Sequence, residues 1–63
     1  MKRADLIRKL EAGGCLLIRH GGNHDWYQNP KTGAVQPLPR HREIKEILAK
    51  HILKKLVFQI DPH

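Results

Sequence analysis

The sequence predicts an α+β fold, a two-layer α-β-β-β-α sandwich in which two helices cover one face of a three-stranded antiparallel sheet. Amphipathic segments lie at the two ends of the chain, and three short segments with strand character lie between them. Turn residues separate the three short segments, as in a β-meander. A chain of 63 residues provides one core, so we expect a single domain over residues 1–63.

The first helix is predicted over residues 2–12, where Leu6, Ile7 and Leu10 form a narrow apolar face. This helix must therefore pack against something larger than itself. The pair Gly13-Gly14 ends it, because glycine adopts the left-handed conformation that is common at helix C-termini.

The three strands are predicted over residues 15–20, 24–28 and 34–38. The first contains the apolar run Cys15–Ile18, which is typical of a central strand buried on both faces. The third contains Pro37, which lacks an N–H group for strand pairing, so we expect this strand at an edge of the sheet.

Trp26 and Tyr27 are adjacent in the second predicted strand, so their side chains point to opposite faces of the sheet. At most one of them belongs to the core, and the sequence leaves open which one. The other is available to stack on a nucleobase or to pack against a protein partner. Cys15 is expected to be a small buried apolar residue.

The second helix is predicted over residues 41–56. Its buried stripe is predicted to consist of Ile44, Ile47, Leu48 and Ile52. His51 falls on the same side and is expected to be a partly buried structural residue. The tail over residues 57–63 shows no clear period and is not assigned.

The chain is basic, with 12 Lys and Arg against 6 Asp and Glu, and its net charge is +6 with histidines neutral. Residues 1–20 and 40–63 each carry +3, whereas residues 21–39 are neutral. The positive charge is therefore assigned to the two helices. A small basic domain favours an anionic partner, and nucleic acid is the first candidate.

Neither a membrane-spanning apolar run nor a signal peptide is recognisable, so we expect a cytoplasmic protein. The only cysteine cannot form an internal disulfide. His20 and His24 have the spacing of metal ligands on a helix, but Gly21-Gly22 disfavours a helix there and no third ligand is evident. We expect no metal site and no cofactor.

His24 directly follows the turn Gly21-Gly22-Asn23, the strongest turn signal in the chain. Glycines let backbone N–H groups approach a phosphate, and an imidazole exchanges protons near neutral pH. Nearby Lys and Arg side chains would stabilise the charge that develops on the phosphoryl oxygens. These parts suffice for RNA cleavage in which a ribose 2′-hydroxyl attacks its own phosphate. The residues alone leave a second interpretation open, in which His24 is a solvent-exposed hairpin histidine without a role.

Several segments of the chain together resemble the HicA toxins, which are small messenger-RNA interferases of type II toxin–antitoxin systems. The resemblance covers residues 3–56 and includes the order of elements. The residues that carry it are Gly22-Asn23-His24, Tyr27, Asn29-Pro30, Val35 to Leu38 and Pro39-Arg40-His41-Arg42-Glu43-Ile44.

The resemblance implies a fold similar to the double-stranded-RNA-binding domain and a single catalytic histidine, which matches His24. Many members carry serine where this chain has Asn23, so a role of the hydroxyl group is lost here. The resemblance also implies a protein antitoxin, HicB, that covers the catalytic face. We therefore expect a monomer when the toxin is free and a hetero-oligomer with the antitoxin.

RNA binding is predicted at two places that flank His24 in the sequence. One is the turn, and the other is the basic start of the second helix, since a helix N-terminus with cations suits a phosphate. The predicted RNA-binding residues are Gly22, Asn23, Arg40, Arg42 and Lys45. At this second place a solvated charged face is the alternative, because Glu43 and Glu46 dilute the patch.

Three functions compete at this point. The first is a metal-independent endoribonuclease toxin that cleaves mRNA. The second is a double-stranded-RNA-binding module without catalysis. Such domains contact about 16 base pairs of RNA, and a chain with a neutral central hairpin has fewer positive charges for that span. The third is a DNA-binding accessory protein, ranked last because strands, not a helix, precede the second helix.

Overall fold

The computed structural model of the chain describes residues 1–58, and residues 59–63 of the unassigned tail lie outside this part. The elements are α1 (Arg3–Ala12), β1 (Leu16–His20), β2 (His24–Gln28), β3 (Val35–Pro39) and α2 (Glu46–Leu56). This order confirms the predicted α+β fold. Neither helix of the described part has the length and apolar character needed to span a membrane.

The sheet is a three-stranded antiparallel meander with β2 in the middle. Both helices and one face of the sheet contribute to a single core. Its members are Leu6, Leu10, Cys15, Tyr27, Leu38, Ile44, Ala49, Ile52, Leu53 and Leu56. Tyr27 is thus the core aromatic, and Trp26 lies on the opposite face. The prediction of a buried Cys15 and of an edge position for Pro37 is confirmed.

The prediction of a central buried first strand is wrong. β1 is an edge strand, and its apolar residues are exposed, with 59% of Leu16 and 49% of Ile18 accessible to solvent. In a three-stranded meander the middle position falls to the second strand, so β1 has only one neighbour. Cys15, immediately before β1, is the buried residue of this run, and the pairing register with β2 shifts between Leu17 and Arg19.

Both helices begin later than predicted, α1 by one residue and α2 by five. Residues 41–45 are not helical, because this segment pairs with the N-terminus of the chain through an isolated antiparallel bridge between Lys2 and Glu43. Ile44 is buried although it lies in this segment, so it fits the helical spacing without belonging to the helix. β2 has the predicted bounds, and β3 is shifted by one residue towards the C-terminus.

The buried face of α2 is rotated relative to the predicted stripe. Its buried residues are Ala49, Ile52, Leu53 and Leu56, which recur at helical spacing. Ile47 is 86% exposed and Leu48 is 37% exposed, so their prediction as core residues is wrong. His51, expected to be partly buried, is also exposed.

Asn29, in the turn between β2 and β3, fastens the end of α2 to the sheet. Its buried Nδ2 donates a 2.7 Å hydrogen bond to the Leu56 carbonyl oxygen, one of the carbonyls that a helix C-terminus leaves without a helical partner. The Cys15 thiol approaches the same oxygen at 3.7 Å. Burial raises the pKa of this thiol. The C-terminus of α2 is therefore capped by side chains from outside the helix.

Candidate active site

The turn between β1 and β2 consists of Gly21, Gly22 and Asn23 and leads into His24. The Gly21 N–H donates a 2.7 Å hydrogen bond to the His24 carbonyl oxygen and closes the turn. A Cβ atom at position 21 would lie 2.9 Å from that oxygen and 3.0 Å from Trp26 Nε1, so glycine is needed for space. A Cβ atom at position 22 would meet nothing of the described chain within 4 Å, so this residue faces open space.

Asp25 follows His24 and points to the helix side of the sheet, where its side chain is only 10% exposed. Its Oδ2 accepts a 2.6 Å hydrogen bond from Arg3 Nη2, and its Oδ1 lies 2.9 Å from His20 Nδ1. The hydrogen bonds from His20 and then from Arg40 lower the pKa of the Asp25 carboxyl to about 2. The carboxylate is thus ionised near neutral pH and only accepts, so His20 Nδ1 carries the proton of their hydrogen bond.

Arg40, directly after β3, connects Asp25 to the glycine turn. Its Nε and Nη2 donate to Asp25 Oδ1 at 3.1 and 2.9 Å. Its Nη2 and Nη1 also donate to the carbonyl oxygens of Gly21 and Gly22, at 2.7 and 3.1 Å. A planar guanidinium is suited to several hydrogen bonds in fixed directions. The turn before His24 is therefore held by a side chain from the opposite edge of the sheet.

An open groove of about 470 Å³ lies beside this turn and is lined by Gly22, Asn23, His24, Arg40 and His41. His24 is exposed on its wall. Within residues 1–58, the backbone N–H groups of Gly22 and Asn23 have no hydrogen-bond acceptor. The residues that line the groove thus include an exposed histidine, an arginine and a glycine-containing turn, which are residue types that bind and react with a phosphodiester.

A family model described as HicA toxin of bacterial toxin-antitoxin matches residues 3–56. The chain belongs to the HicA toxin family. No curated protein and no solved structure matches the chain. The family match spans both helices, the whole sheet and the groove, and it confirms the resemblance on which the sequence interpretation relied.

Membership of the HicA family makes this protein the toxin of a toxin–antitoxin system. The family is one of mRNA-cleaving toxins, and a toxin of such a system has an antitoxin as its partner. The region matched by the family model includes the glycine turn, His24 and Arg40.

The predicted RNA-binding residues of this HicA protein separate into three groups. Gly22, Asn23 and Arg40 line the groove with His24. Lys45 lines an adjoining groove of about 520 Å³, which His24 also borders. Arg42 lines a third groove, beside α1, that His24 does not border.

The prediction that cations lie at the N-terminus of the second helix is wrong for two of them. Arg40 and Arg42 lie on non-helical chain before Glu46, where α2 begins, so they are not in its first turn. Lys45 is the N-cap residue of α2 and makes no capping hydrogen bond with its side chain. Positive charge near His24 therefore comes from the segment between β3 and α2, and not from the helix itself.

His20 does not approach the groove, because it is hydrogen-bonded to Asp25 and is paired with it across the two strands. Within residues 1–58, no group of three or more His, Cys, Asp or Glu side chains is arranged to hold a metal ion. Trp26 lies on the open face of the sheet, with Arg19 Cζ 5.4 Å from the centroid of its ring. This distance is typical of a cation–π contact.

Sequence reasoning missed two residues that shape the site, Asp25 and His41. Asp25 is two positions from the core residue Tyr27 in the same strand, so strand alternation places both on the buried face. A carboxylate on such a face needs cationic partners, but the sequence shows neither which face of this strand is buried nor which cations reach it. His41 was predicted to be the first residue of the second helix, and this prediction gave no reason to place it near His24.

Proposed function

We propose that this HicA family toxin is a metal-independent endoribonuclease that cleaves messenger RNA with His24 as its catalytic residue. The observation that carries the proposal is the exposed His24 imidazole on the wall of the groove beside the glycine turn. The family match supports it, since the family comprises mRNA-cleaving toxins. No cofactor is needed for the chemistry described below.

The proposed reaction is attack by a ribose 2′-hydroxyl on the adjacent phosphate. His24 acts as general base and accepts the proton of the hydroxyl as the oxygen bonds to phosphorus. The bond from phosphorus to the 5′-oxygen of the next nucleotide breaks. One product ends in a 2′,3′-cyclic phosphate, and the other begins with a 5′-hydroxyl group.

The proposed phosphate-binding groups surround His24. The free N–H groups of Gly22 and Asn23 are suited to non-bridging phosphate oxygens, and the open space beside Gly22 leaves room for the backbone of the RNA. Lys45 adds a mobile positive charge in the adjoining groove. Arg40 contributes charge as well, although most of its donors are engaged by Asp25 and the turn.

The proposed partner is a HicB-like antitoxin that covers the groove. Leu48 lines the adjoining groove together with His24, and the neighbouring Ile47 is 86% exposed. Exposed apolar side chains beside a binding groove are typical of a protein interface. A partner that buries them would also block access of RNA to His24.

Induced expression in bacterial cells tests the proposal. Wild type and His24→Ala are compared, with His51→Ala as the matched control because this exposed histidine lines neither groove that His24 borders. We expect wild type and the control to stop growth and to fragment transcripts, and His24→Ala to do neither at equal protein level. Toxicity of His24→Ala equal to that of wild type would contradict the assignment of His24.

The antitoxin part is tested by co-expression of a HicB-like protein encoded beside the toxin gene. We expect growth to recover and the two proteins to purify together. An Ile47→Asp variant keeps its RNA groove but carries a charge at the exposed apolar position, so we expect it to remain toxic and to be neutralised less well. Equal neutralisation of both toxins would contradict this placement of the interface.

The second candidate function is a double-stranded-RNA-binding module without catalysis. Binding and cleavage assays with the purified protein distinguish it from the proposed nuclease. Binding of duplex RNA with no cleavage of single-stranded transcripts by the wild type would favour that candidate over the proposed nuclease.

A further inference from the structure

With His24 as general base, the proposed cleavage still lacks a donor for the proton that the departing 5′-oxygen gains. The general base takes a proton from the 2′-hydroxyl, whereas the departing 5′-oxygen gains one, and in an in-line displacement these oxygens lie on opposite sides of the phosphorus. A group that has just accepted a proton on one side cannot donate one on the other in the same step. Fast cleavage therefore calls for a second titratable group that faces the same phosphate.

His41 lines the same two grooves as His24. In the sheet, His24 pairs with Pro39, and His41 follows Pro39 by two residues. Both histidines line the 470 Å³ groove, and both also line the adjoining 520 Å³ groove. Both are exposed, so a ligand in either groove has access to two imidazoles.

The chain on both sides of His41 is fixed. Before it, Arg40 is tied to Asp25 and to the turn carbonyls by the hydrogen bonds described above. After it, the Arg42 carbonyl oxygen accepts a 2.9 Å hydrogen bond from the Arg3 N–H, and Ile44 is buried in the core. His41 thus lies on a short non-helical segment that is held on both sides by hydrogen bonds and by burial, which limits the positions its side chain can take.

Asp25, His20, His51 and Arg40 are less suited than His41 to donate a proton. Asp25 has a pKa of about 2 and is already ionised near neutral pH. His20 uses its Nδ1 proton on Asp25, and His51 lines neither of the two grooves. Arg40 remains charged and does not release a proton in this pH range.

We propose that His41 is the general acid of the reaction, a proposal that rests on the proposed nuclease function. His24 takes the proton of the 2′-hydroxyl as the bond from O2′ to phosphorus forms. Protonated His41 gives its proton to O5′ as the bond from phosphorus to O5′ breaks. The two transfers leave the total number of protons on the enzyme unchanged, and solvent then restores each histidine.

The test compares two substrates that differ in the leaving atom. A cleavage site is first mapped on a transcript, and a short RNA spanning it is made with either the ordinary 5′-oxygen or a bridging 5′-sulfur at the scissile bond. A thiolate leaves without a proton, so the sulfur substrate has no need of a general acid. Wild type, His24→Ala, His41→Ala and the control His51→Ala are compared on both substrates, with thermal unfolding recorded for each.

On the oxygen substrate we expect His41→Ala to lower kcat by about 10²–10⁴-fold, the usual contribution of a general acid or base. On the sulfur substrate we expect His41→Ala to cleave within about tenfold of wild type, whereas His24→Ala stays impaired. Only loss of a proton donor gives this difference between the two substrates.

Two results would overturn the assignment of His41. One is cleavage of the oxygen substrate by His41→Ala at the wild-type rate. The other is an equal loss of rate on both substrates, which would make His41 a residue that binds RNA or supports the fold. His41→Gln, which keeps a hydrogen-bonding side chain but cannot donate a proton as an acid, would then show whether that equal loss comes from lost binding. Failure of the nuclease proposal itself would look different from failure of the His41 assignment, because wild type and His24→Ala would then act alike on the oxygen substrate.

Discussion

The two turns of the sheet, one between β1 and β2 and the other between β2 and β3, are held in different ways. In the second, Asn29 is buried, and its Oδ1 accepts a 2.9 Å hydrogen bond from the Lys31 N–H while its Nδ2 holds the end of α2. In the first, the turn residues are held by Arg40 from outside, and Gly22 and Asn23 remain exposed. The second turn is fastened by its own buried side chain, and the first presents its own groups to solvent.

This difference indicates how a small toxin combines stability with an open site. In the second turn the backbone N–H groups of Lys31, Thr32 and Gly33 are all hydrogen-bonded to Asn29, so none of them is left for a ligand. In the first turn, which Arg40 holds, the exposed residues Gly22, Asn23 and His24 remain accessible. Asp25 is the link, because it accepts from Arg40 and Arg3 and so connects the turn to the start of α1.

The largest effect on stability is expected at the second turn. Asn29→Ala removes two hydrogen bonds and leaves the Leu56 carbonyl oxygen with only the weak Cys15 donor, so we expect a loss of about 2–3 kcal/mol in the free energy of unfolding. Urea unfolding measures it. The matched control is Asn23→Ala in the first turn, where the exposed side chain predicts a change below about 0.5 kcal/mol. Equal losses would contradict the contrast between the turns.

The next effect concerns the two adjacent glycines of the first turn. Gly21→Ala forces a Cβ atom against the His24 carbonyl oxygen, so we expect a loss of about 1–2 kcal/mol in stability. Gly22→Ala adds its methyl group to open space, so we expect unchanged or slightly raised stability. Thermal unfolding of the pair measures both. Greater destabilisation by Gly22→Ala would contradict the described turn.

A smaller effect on activity is expected from Arg40→Lys. Lysine keeps the charge but cannot donate to Asp25 and to two carbonyl oxygens at once, so the turn before His24 loosens. We expect kcat for RNA cleavage to fall by about tenfold, with KM changed less, because positioning of a catalytic group affects the chemical step. A change confined to KM would indicate that Arg40 acts only through RNA binding.

The smallest effect is a dependence of stability on acid pH. The pKa of Asp25 is lowered from 3.8 to about 2 in the folded protein. Its contribution to stability is therefore complete above pH 3.8 and is lost as the pH falls towards 2. We expect the stability of wild type to decrease over this interval more steeply than that of Asp25→Asn. Chemical unfolding between pH 2 and pH 5 measures the two slopes, and parallel slopes would contradict the role of Asp25.

The order of elements was predictable because turn residues divide this chain clearly, and Gly14, with a φ of 88°, follows α1 near where it was expected to end. The start of α2 was not predictable from periodicity, since Ile44 continues the helical spacing while it lies in a segment paired with the N-terminus. The exposure of β1 was missed for a related reason. An apolar run does not reveal whether a strand has one neighbour or two.

His24 was predictable as a site residue because a local motif carries it. The rest of the site arises from contacts between residues distant in the sequence. Arg40 reaches Asp25 across 15 positions, and Arg3 reaches it across 22. Such ion pairs leave no local signal, and the same applies to the approach of His41 to His24 in the groove. The prediction that the positive charge lies on the two helices was also wrong for some residues, because Arg19 lies in β1 and Arg40 follows β3.

The most direct test of the account is the cleavage rate of a single-stranded transcript by purified protein. Wild type is compared with His24→Ala and with the control His51→Ala, at equal concentrations of folded protein verified by thermal unfolding. We predict that His24→Ala lowers the rate by about 100-fold or more while its unfolding temperature and the rate of the control stay close to wild type. Cleavage by folded His24→Ala within about threefold of the wild-type rate would contradict the catalytic role of His24.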